Sequence, residues 1–123
     1  MSKLYPWIQK DLAECDKLGH TKERAKVFIN QYKERGWCDA ELWNIDHEFG
    51  KWILPRLKAY STYANGVPGG LKATQWEKII SDMIAGFEIM AHEKLNWSAT
   101  PEQEAQANKA MHLFGKYGRS LWC

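Results

Sequence analysis

Two charged side chains lie inside the apolar stripe of one predicted helix. The stripe occupies one side of that helix at about 100° per residue and consists of Leu42, Ile45, Phe49, Trp52, Ile53, Leu57 and Tyr60. With Leu42 as the origin of the helical wheel, Asp46 falls at about +40° and Arg56 at about −40°. Because an unpaired charge in a core is costly, we expect both to be mostly buried and to contact a polar group from another helix or a ligand.

Two interpretations of this pair stay open. In one, neighbouring helices clamp the charges: an indole N–H or a lysine binds Asp46, and a glutamate binds Arg56. In the other, the helix forms one wall of a polar-centred pocket in which Arg56 binds a phosphate or a carboxylate. The two charges cannot pair with each other, because ten residues at about 1.5 Å per residue place them roughly 15 Å apart along the helix.

A second group combines carboxylates with histidines. Glu88 and His92 stand four residues apart on the next predicted helix, the spacing of a solvated pair. The alternative joins them to Asp46, His47 and Glu48 as ligands of a divalent metal. The zinc-protease pattern requires a second histidine four residues after the first. Neither His47 nor His92 is followed by one, so the pattern is not present. A phosphate-binding glycine loop and a nucleophile–base pair are missing too, so we expect no catalytic residue, metal, cofactor or enzymatic activity.

Tryptophan is the most unusual feature of the composition. Seven tryptophans stand in 123 residues, against two valines. They supply either the large rings of a small aromatic core or the walls of a pocket for a flat ligand. As stacking faces for such a ligand the sequence offers Trp43 and Trp76, with Trp97 as a further choice.

Length and charge limit the class of protein. A chain of 123 residues predicts one domain, residues 1–123. Seventeen Lys and Arg against fifteen Asp and Glu give a net charge of +2, too balanced to indicate binding to nucleic acid or to a membrane. Three cysteines without C-x-x-C spacing favour neither a disulfide framework nor a zinc ribbon. These features fit an intracellular, reducing setting.

The elements that must position these residues are helices. Scarce valine, abundant alanine and repeated capping signals predict an all-α protein, a compact bundle of about five helices with no sheet. The predicted helices begin near Pro6, Thr21, Asp39, Thr74 and Thr100 and end near Gly19, Gly36, Tyr60, Leu95 and Leu121. Thr74 with Glu77, and Thr100 with Gln103, have the spacing of capping boxes. Pro55 predicts a kink near residues 51–54.

From about Gly36 onward the order of motifs resembles small uncharacterised helical proteins encoded by tailed bacteriophages. The segments that carry the resemblance are Trp43–Asp46, Trp52–Lys58, Trp76–Ile80, Met83–Ile84, Phe87–Glu88, Leu113–Tyr117 and Leu121–Trp122. The resemblance implies a phage or prophage gene whose product is made in the cytoplasm of the infected bacterial host. It implies no catalytic residue.

Small phage proteins of this kind are often accessory factors that act on host pathways by binding. The leading hypothesis is therefore a counter-defence protein that sequesters a nucleotide-derived immune signal, a cyclic dinucleotide or an ADP-ribose derivative, without degrading it. Its site needs aromatic faces for the base, a cation for phosphate and acceptors for ribose hydroxyls. The residues assigned to it are Trp43, Asp46, His47, Arg56, Trp76, Glu88 and His92.

Two rival hypotheses belong to other classes. The first is a protein-interaction module that inhibits a host or phage protein through an exposed aromatic patch. The second is a metal-dependent nucleotide hydrolase built from Asp46, His47, Glu88 and His92. Tryptophans gathered around a concavity favour ligand capture, and tryptophans spread over an exposed surface favour a protein partner. The sequence leaves open whether the chain forms a homo-oligomer.

Overall fold

The structure is a computed structural model that describes residues 22–63 and 66–122. Within these ranges the chain forms helices and no strand, which confirms the all-α prediction. The α-helices are α1 (Lys22–Arg35), α2 (Ile45–Tyr63), α3 (Ala73–Ala91), α4 (Leu95–Ser98) and α5 (Pro101–Tyr117), and two short 3₁₀-helices cover Asp39–Trp43 and Gly118–Ser120. The helix predicted over residues 6–19 lies outside the described residues. Among those described, no helix is both long enough and apolar enough to cross a bilayer.

The chain divides into two compact units, Met1–Ile45 and Asp46–Cys123. In the described part of the first unit, Gly36 ends α1 with a φ of 82°, a backbone conformation that favours glycine. The Gln31 amide and the Arg35 guanidinium both donate to the Asp39 carboxylate, which joins α1 to the following 3₁₀-helix. The Arg35 hydrogen bond, followed by that of Gln31, holds the pKa of Asp39 below its ordinary value.

The second unit has its own apolar core, to which three helices contribute. Its buried residues are Ile53 and Leu57 of α2, Trp76, Ile80, Met83, Phe87 and Met90 of α3, and Ala110 of α5. One phenylalanine from each helix meets the other two edge to face, with ring centroids 5.3–6.0 Å apart: Phe49, Phe87 and Phe114. Such aromatic pairs contribute about 0.5–1.5 kcal/mol each beyond the area they bury.

Small residues let α3 and α5 pack closely. A Cβ atom added at Gly86 would overlap the Ala110 side chain and the Gln106 carbonyl. A polar clamp lies beside this crossing: the Asp82 carboxylate pairs with Lys78 at 2.7 Å and with Lys109 of α5 at 3.1 Å. The Gln106 side-chain amide also donates to the Asp82 carbonyl at 3.2 Å. Glycine and alanine therefore allow the close approach of the two helices, and the clamp adds an ion pair and a hydrogen bond across their crossing.

The helix boundaries correct several predictions and confirm others. The third predicted helix does not start at Asp39; a 3₁₀-helix ends at Trp43 and α2 begins at Ile45. The N-cap of α3 lies two residues earlier than predicted, at Lys72, whose N–H donates to Gln75 Oε1 at 2.8 Å. The lysine side chain has no acceptor, so this is half of a capping box rather than the Thr74–Glu77 box that the sequence predicted. α3 ends at Ala91 and does not continue to Leu95. The Thr100–Gln103 box is confirmed, with both reciprocal hydrogen bonds formed. Pro55 lies inside α2, which continues unbroken through it.

Candidate functional site

A cleft of about 300 Å³ opens where the first turn of α2 meets the end of α3, α4 and the first half of α5. It is lined by Asp46, Ile89, Met90, Leu95, Ala99, Glu104, Ala107 and Asn108. Three of these side chains are polar, and all three offer oxygen acceptors. The lining that the structure describes includes no basic residue and no aromatic ring.

His47 holds the first turn of α2 against the end of α3. Its Nδ1 atom lies 2.8 Å from the Met90 carbonyl oxygen, to which a protonated Nδ1 donates. That carbonyl belongs to the last turn of α3, whose carbonyls have no intrahelical donor. Gly50 reinforces the contact, because an added Cβ atom would lie 3.0 Å from the Ala91 nitrogen and from Met90 Cβ. The sequence hypothesis gave His47 to a ligand, and the structure gives its Nδ1 a structural partner.

His92 shapes the turn that forms another wall of the cleft. It follows the last residue of α3 in an extended conformation, and its Nδ1 accepts hydrogen bonds from the backbone N–H groups of Lys94 at 3.1 Å and Leu95 at 3.2 Å. These bonds satisfy donors at the start of α4. Glu88, the residue expected to pair with His92, forms an ion pair with Lys58 at 3.3 Å instead. Both side chains of that pair are about half exposed, so its contribution to stability is small.

The prediction that Asp46 and Arg56 are mostly buried is wrong, since both are exposed. The buried residues of α2 are Gly50, Ile53 and Leu57, whose centre lies about 90° from Arg56 on the wheel. Arg56 therefore lies on the flank of the helix. Asp46 does point along the buried side, but it belongs to the first turn, beyond the end of the core. A carboxylate in a first turn is favoured by the positive end of the helix dipole without burial.

Arg56 packs against its own helix. Its guanidinium carbon lies 4.2 Å from the centre of the Trp52 ring, and Nη1 donates to the Trp52 carbonyl at 2.6 Å. That carbonyl lies three residues before Pro55, in the turn that the proline ring crowds. Phe49 stacks on Trp52 at 6.3 Å between ring centroids with 26° between the ring planes. The Trp52 ring is thus fixed along α2 while remaining 44% exposed.

The tryptophans are mostly at the surface. Among the described tryptophans only Trp76 is buried, at 3% exposure, where it meets Tyr117 edge to face at 5.8 Å. The others are 41–77% exposed: Trp37, Trp43, Trp52, Trp97 and Trp122. Trp43 belongs to the first unit, where it meets Phe28 edge to face and carries the Arg24 guanidinium 4.7 Å from its ring centre. Trp97 donates from Nε1 to the Glu93 carbonyl at 3.0 Å.

The structure does not assemble the sequence-predicted site as one group. Asp46 lines the cleft, and His47 and His92 support its walls, whereas Arg56, Trp76 and Glu88 are not part of the described lining. Within residues 22–63 and 66–122, no three His, Cys, Asp or Glu side chains are placed to share a metal ion. Glu104 and Asn108, one turn apart on α5, were missed because they read as an ordinary solvated helix face.

Comparison of the chain with models of protein families, with curated proteins and with solved structures gives no match. The resemblance to phage proteins therefore stays a prediction, and the function has to be inferred from the geometry.

Proposed function

We propose that this chain is a non-catalytic binding protein that docks on another protein through an exposed surface of its second unit. We define the Trp52 surface as Trp52, Arg56, Tyr60 and Trp122. The observation that supports the proposal is the combination of exposed indoles with a guanidinium that is held against one of them, that of Trp52. Trp52 is 44% exposed and Trp122 is 74% exposed.

The Trp52 surface is continuous along α2 and reaches the end of the chain. Trp52, Arg56 and Tyr60 follow one another at four-residue spacing, so they share one side of the helix. The Tyr60 hydroxyl donates to the Trp122 carbonyl at 3.2 Å, which ties the residues after the second 3₁₀-helix to α2. Cation–π stacking and the Arg56–Trp52 hydrogen bond fix the middle of the surface.

These residue types are the ones on which protein interfaces concentrate their binding energy. Trp, Tyr and Arg are enriched among residues whose truncation costs 2 kcal/mol or more. Side chains already ordered in the free protein also lose less conformational entropy on binding. By the resemblance to phage proteins, the partner is a host or phage protein that is inhibited in the bacterial cytoplasm.

Sequestration of a nucleotide-derived signal receives less support from the geometry. It needs an aromatic face and a cation together in a concave site. The described lining of the cleft has neither, and Arg56 lies about 15 Å along α2 from Asp46. Most of the described tryptophans are exposed and do not line the cleft, and this distribution favours a protein partner over ligand capture.

The test begins with a photo-crosslinking amino acid at exposed position 59 of α2, one turn from Arg56, and, in a second protein, at exposed position 81 of α3, both produced in bacterial cells. A protein captured only from position 59 is purified, and its affinity for wild type and for Trp52→Ala is measured by calorimetry. We expect Trp52→Ala to weaken binding by roughly 30-fold or more, the effect of an interface hot spot.

Trp97→Ala is the matched control, because Trp97 is a 77% exposed tryptophan outside the Trp52 surface. We expect its affinity to equal that of wild type. Equal weakening by Trp97→Ala and Trp52→Ala, or unchanged binding in Trp52→Ala, would contradict docking through this surface.

A further inference from the structure

The donors and charges of the Trp52 surface indicate what kind of protein segment it binds. We propose that the docking segment of the partner is acidic, with carboxylate side chains on both sides of an apolar one. This inference rests on the proposed function, because it names the chemistry of the segment that docks on the Trp52 surface.

Trp52 and Arg56 present hydrogen-bond donors side by side. The Arg56 guanidinium carbon lies 4.2 Å from the centre of the Trp52 ring, and Nη1 donates to the Trp52 carbonyl. These contacts orient the guanidinium, but an indole face and a neutral carbonyl leave its positive charge in place. The Trp52 Nε1–H group has no acceptor among the described residues, and the side chain is 44% exposed. A carboxylate accepts from both kinds of donor, and its bond to a guanidinium is charge-assisted.

The two segments that form the surface are basic. Residues 49–63 carry three cations and residues 113–122 carry two, and neither segment contains a carboxylate side chain. Both lysines of the first segment pair with glutamates of α2 and α3. Lys116 and Arg119 of the second segment are exposed and form no ion pair with a carboxylate in the described part of the chain. Positive charge therefore predominates where the second segment reaches the surface.

Arg119 lies near the end of the Trp52 surface. Two backbone hydrogen bonds fold residues 118–122 into tight turns, and the Tyr60 hydroxyl donates to the Trp122 carbonyl at 3.2 Å. Arg56 lies one turn before Tyr60 on α2. The surface thus has a guanidinium near each end of its Tyr60–Trp122 contact, and both complement a segment that carries several carboxylates.

The exposed indoles explain why the segment also needs an apolar side chain. Trp122 is 74% exposed and Trp52 is 44% exposed, so both leave apolar ring surface in contact with water. An apolar side chain between the carboxylates covers that surface on docking and adds the hydrophobic contribution that ion pairs at an exposed surface lack.

A single-stranded nucleic acid also combines negative charge with groups that stack on aromatic rings. The geometry favours the acidic protein segment. The Arg56 guanidinium and the Phe49 ring already lie against the Trp52 indole, so less of the ring face is left for a base. The net charge of the whole chain is only +2, which gives little general attraction to a phosphate backbone.

The experiment titrates the intact protein with the capped peptide acetyl-Gly-Glu-Asp-Leu-Phe-Glu-Asp-Gly-amide. Its neutral analogue has glutamine and asparagine in place of the acidic residues, and a single-stranded oligothymidine with the same number of negative charges represents nucleic acid. Calorimetry measures the affinities. We expect the acidic peptide to bind about tenfold more tightly than either of the other two, and to bind more weakly at high salt.

Three variants test the donors. Arg56→Gln, Arg119→Gln and Trp52→Phe, which keeps an aromatic ring without the N–H, should each weaken binding of the acidic peptide about threefold or more. Lys94→Gln is the matched control for loss of one positive charge, since Lys94 is an exposed lysine immediately before α4 and outside the Trp52 surface. Circular dichroism checks that all variants fold.

The inference is overturned if the acidic peptide does not bind up to about 10 mM, or if the neutral peptide or the oligothymidine binds as tightly. It is also overturned if Lys94→Gln weakens binding as much as Arg119→Gln does. Docking through the Trp52 surface is tested separately, by the affinity of the captured protein for Trp52→Ala. If that affinity falls while the acidic peptide fails, docking stands and only the acidic nature of the segment is wrong.

Discussion

His47 Nδ1 lies 2.8 Å from the carbonyl oxygen of Met90, in the last turn of α3. A side chain that donates to such a carbonyl acts as a helix cap, although His47 is distant in sequence from the helix that it caps. The half-buried imidazole of His47 therefore links α2 to α3.

We predict that His47→Ala lowers the free energy of unfolding by about 1 kcal/mol, because the Met90 carbonyl loses its donor. Denaturant unfolding measures the change. His112→Ala, at an exposed histidine of α5, should change stability by less than about 0.5 kcal/mol. Equal effects of the two substitutions would show that the 2.8 Å contact contributes nothing to stability.

At the scale of elements, the crossing of α3 and α5 depends on the missing side chain of Gly86. We predict that Gly86→Ala destabilises the protein by about 1–3 kcal/mol, the usual cost of overpacking, although alanine has the higher helix propensity. Gly115→Ala is the matched control, because an added Cβ atom at Gly115 meets open space. It should stabilise the protein by up to about 1 kcal/mol. Thermal unfolding of both variants tests the contrast, and stabilisation by Gly86→Ala would contradict close packing.

The Asp82 clamp is expected to make a contribution to stability that depends on pH. The hydrogen bond from Lys78 is the largest cause that lowers the pKa of Asp82 below its ordinary value, partial burial opposes it, and the hydrogen bond from Lys109 adds to it. A carboxyl with a lowered folded-state pKa stabilises the folded protein above the unfolded-state pKa of about 4, and this contribution is lost as the pH falls through the folded-state value.

We therefore predict that Asp82→Asn is less stable than wild type by about 0.5–1 kcal/mol at pH 7, and that the difference shrinks as the pH falls below about 4. Denaturant unfolding at pH 7, 5, 4 and 3 measures it. Glu77→Gln, at an exposed carboxylate of α3 outside the clamp, controls for loss of a negative charge. A difference that stays constant down to pH 3 would rule out the ionised clamp as its source.

At the scale of the whole molecule, the proposed function requires binding without turnover. Incubation with cyclic dinucleotides and ADP-ribose, followed by heating and mass spectrometry, should return these molecules intact. Calorimetry with the same compounds should detect no binding, because the described cleft offers neither a stacking ring nor a cation. If one of these compounds binds tightly and is recovered intact, sequestration would replace protein docking as the proposed function. Consumption that a chelator and His47→Ala both abolish would indicate the hydrolase.

The sequence by itself determined the features that depend on neighbours along the chain. Thr100 and Gln103 cap each other across one turn, and Gly36 ends α1 because glycine tolerates a φ of 82°. The all-α class followed from the same local preferences and from the helical spacing of apolar residues. These interactions span a few residues, so the order of residue types is enough to specify them.

Only the tertiary structure decided which of those residues form a site. The helical wheel gives a direction around a helix, but not where the packed core ends, so it placed Asp46 and Arg56 inside although both are exposed. The number of tryptophans in the sequence does not show which of them are buried, and the structure buries Trp76 but leaves Trp52 exposed. Asp46 and Glu104 line one cleft because helices distant in sequence pack together, and packing between distant segments follows from complementary shape rather than from local pattern.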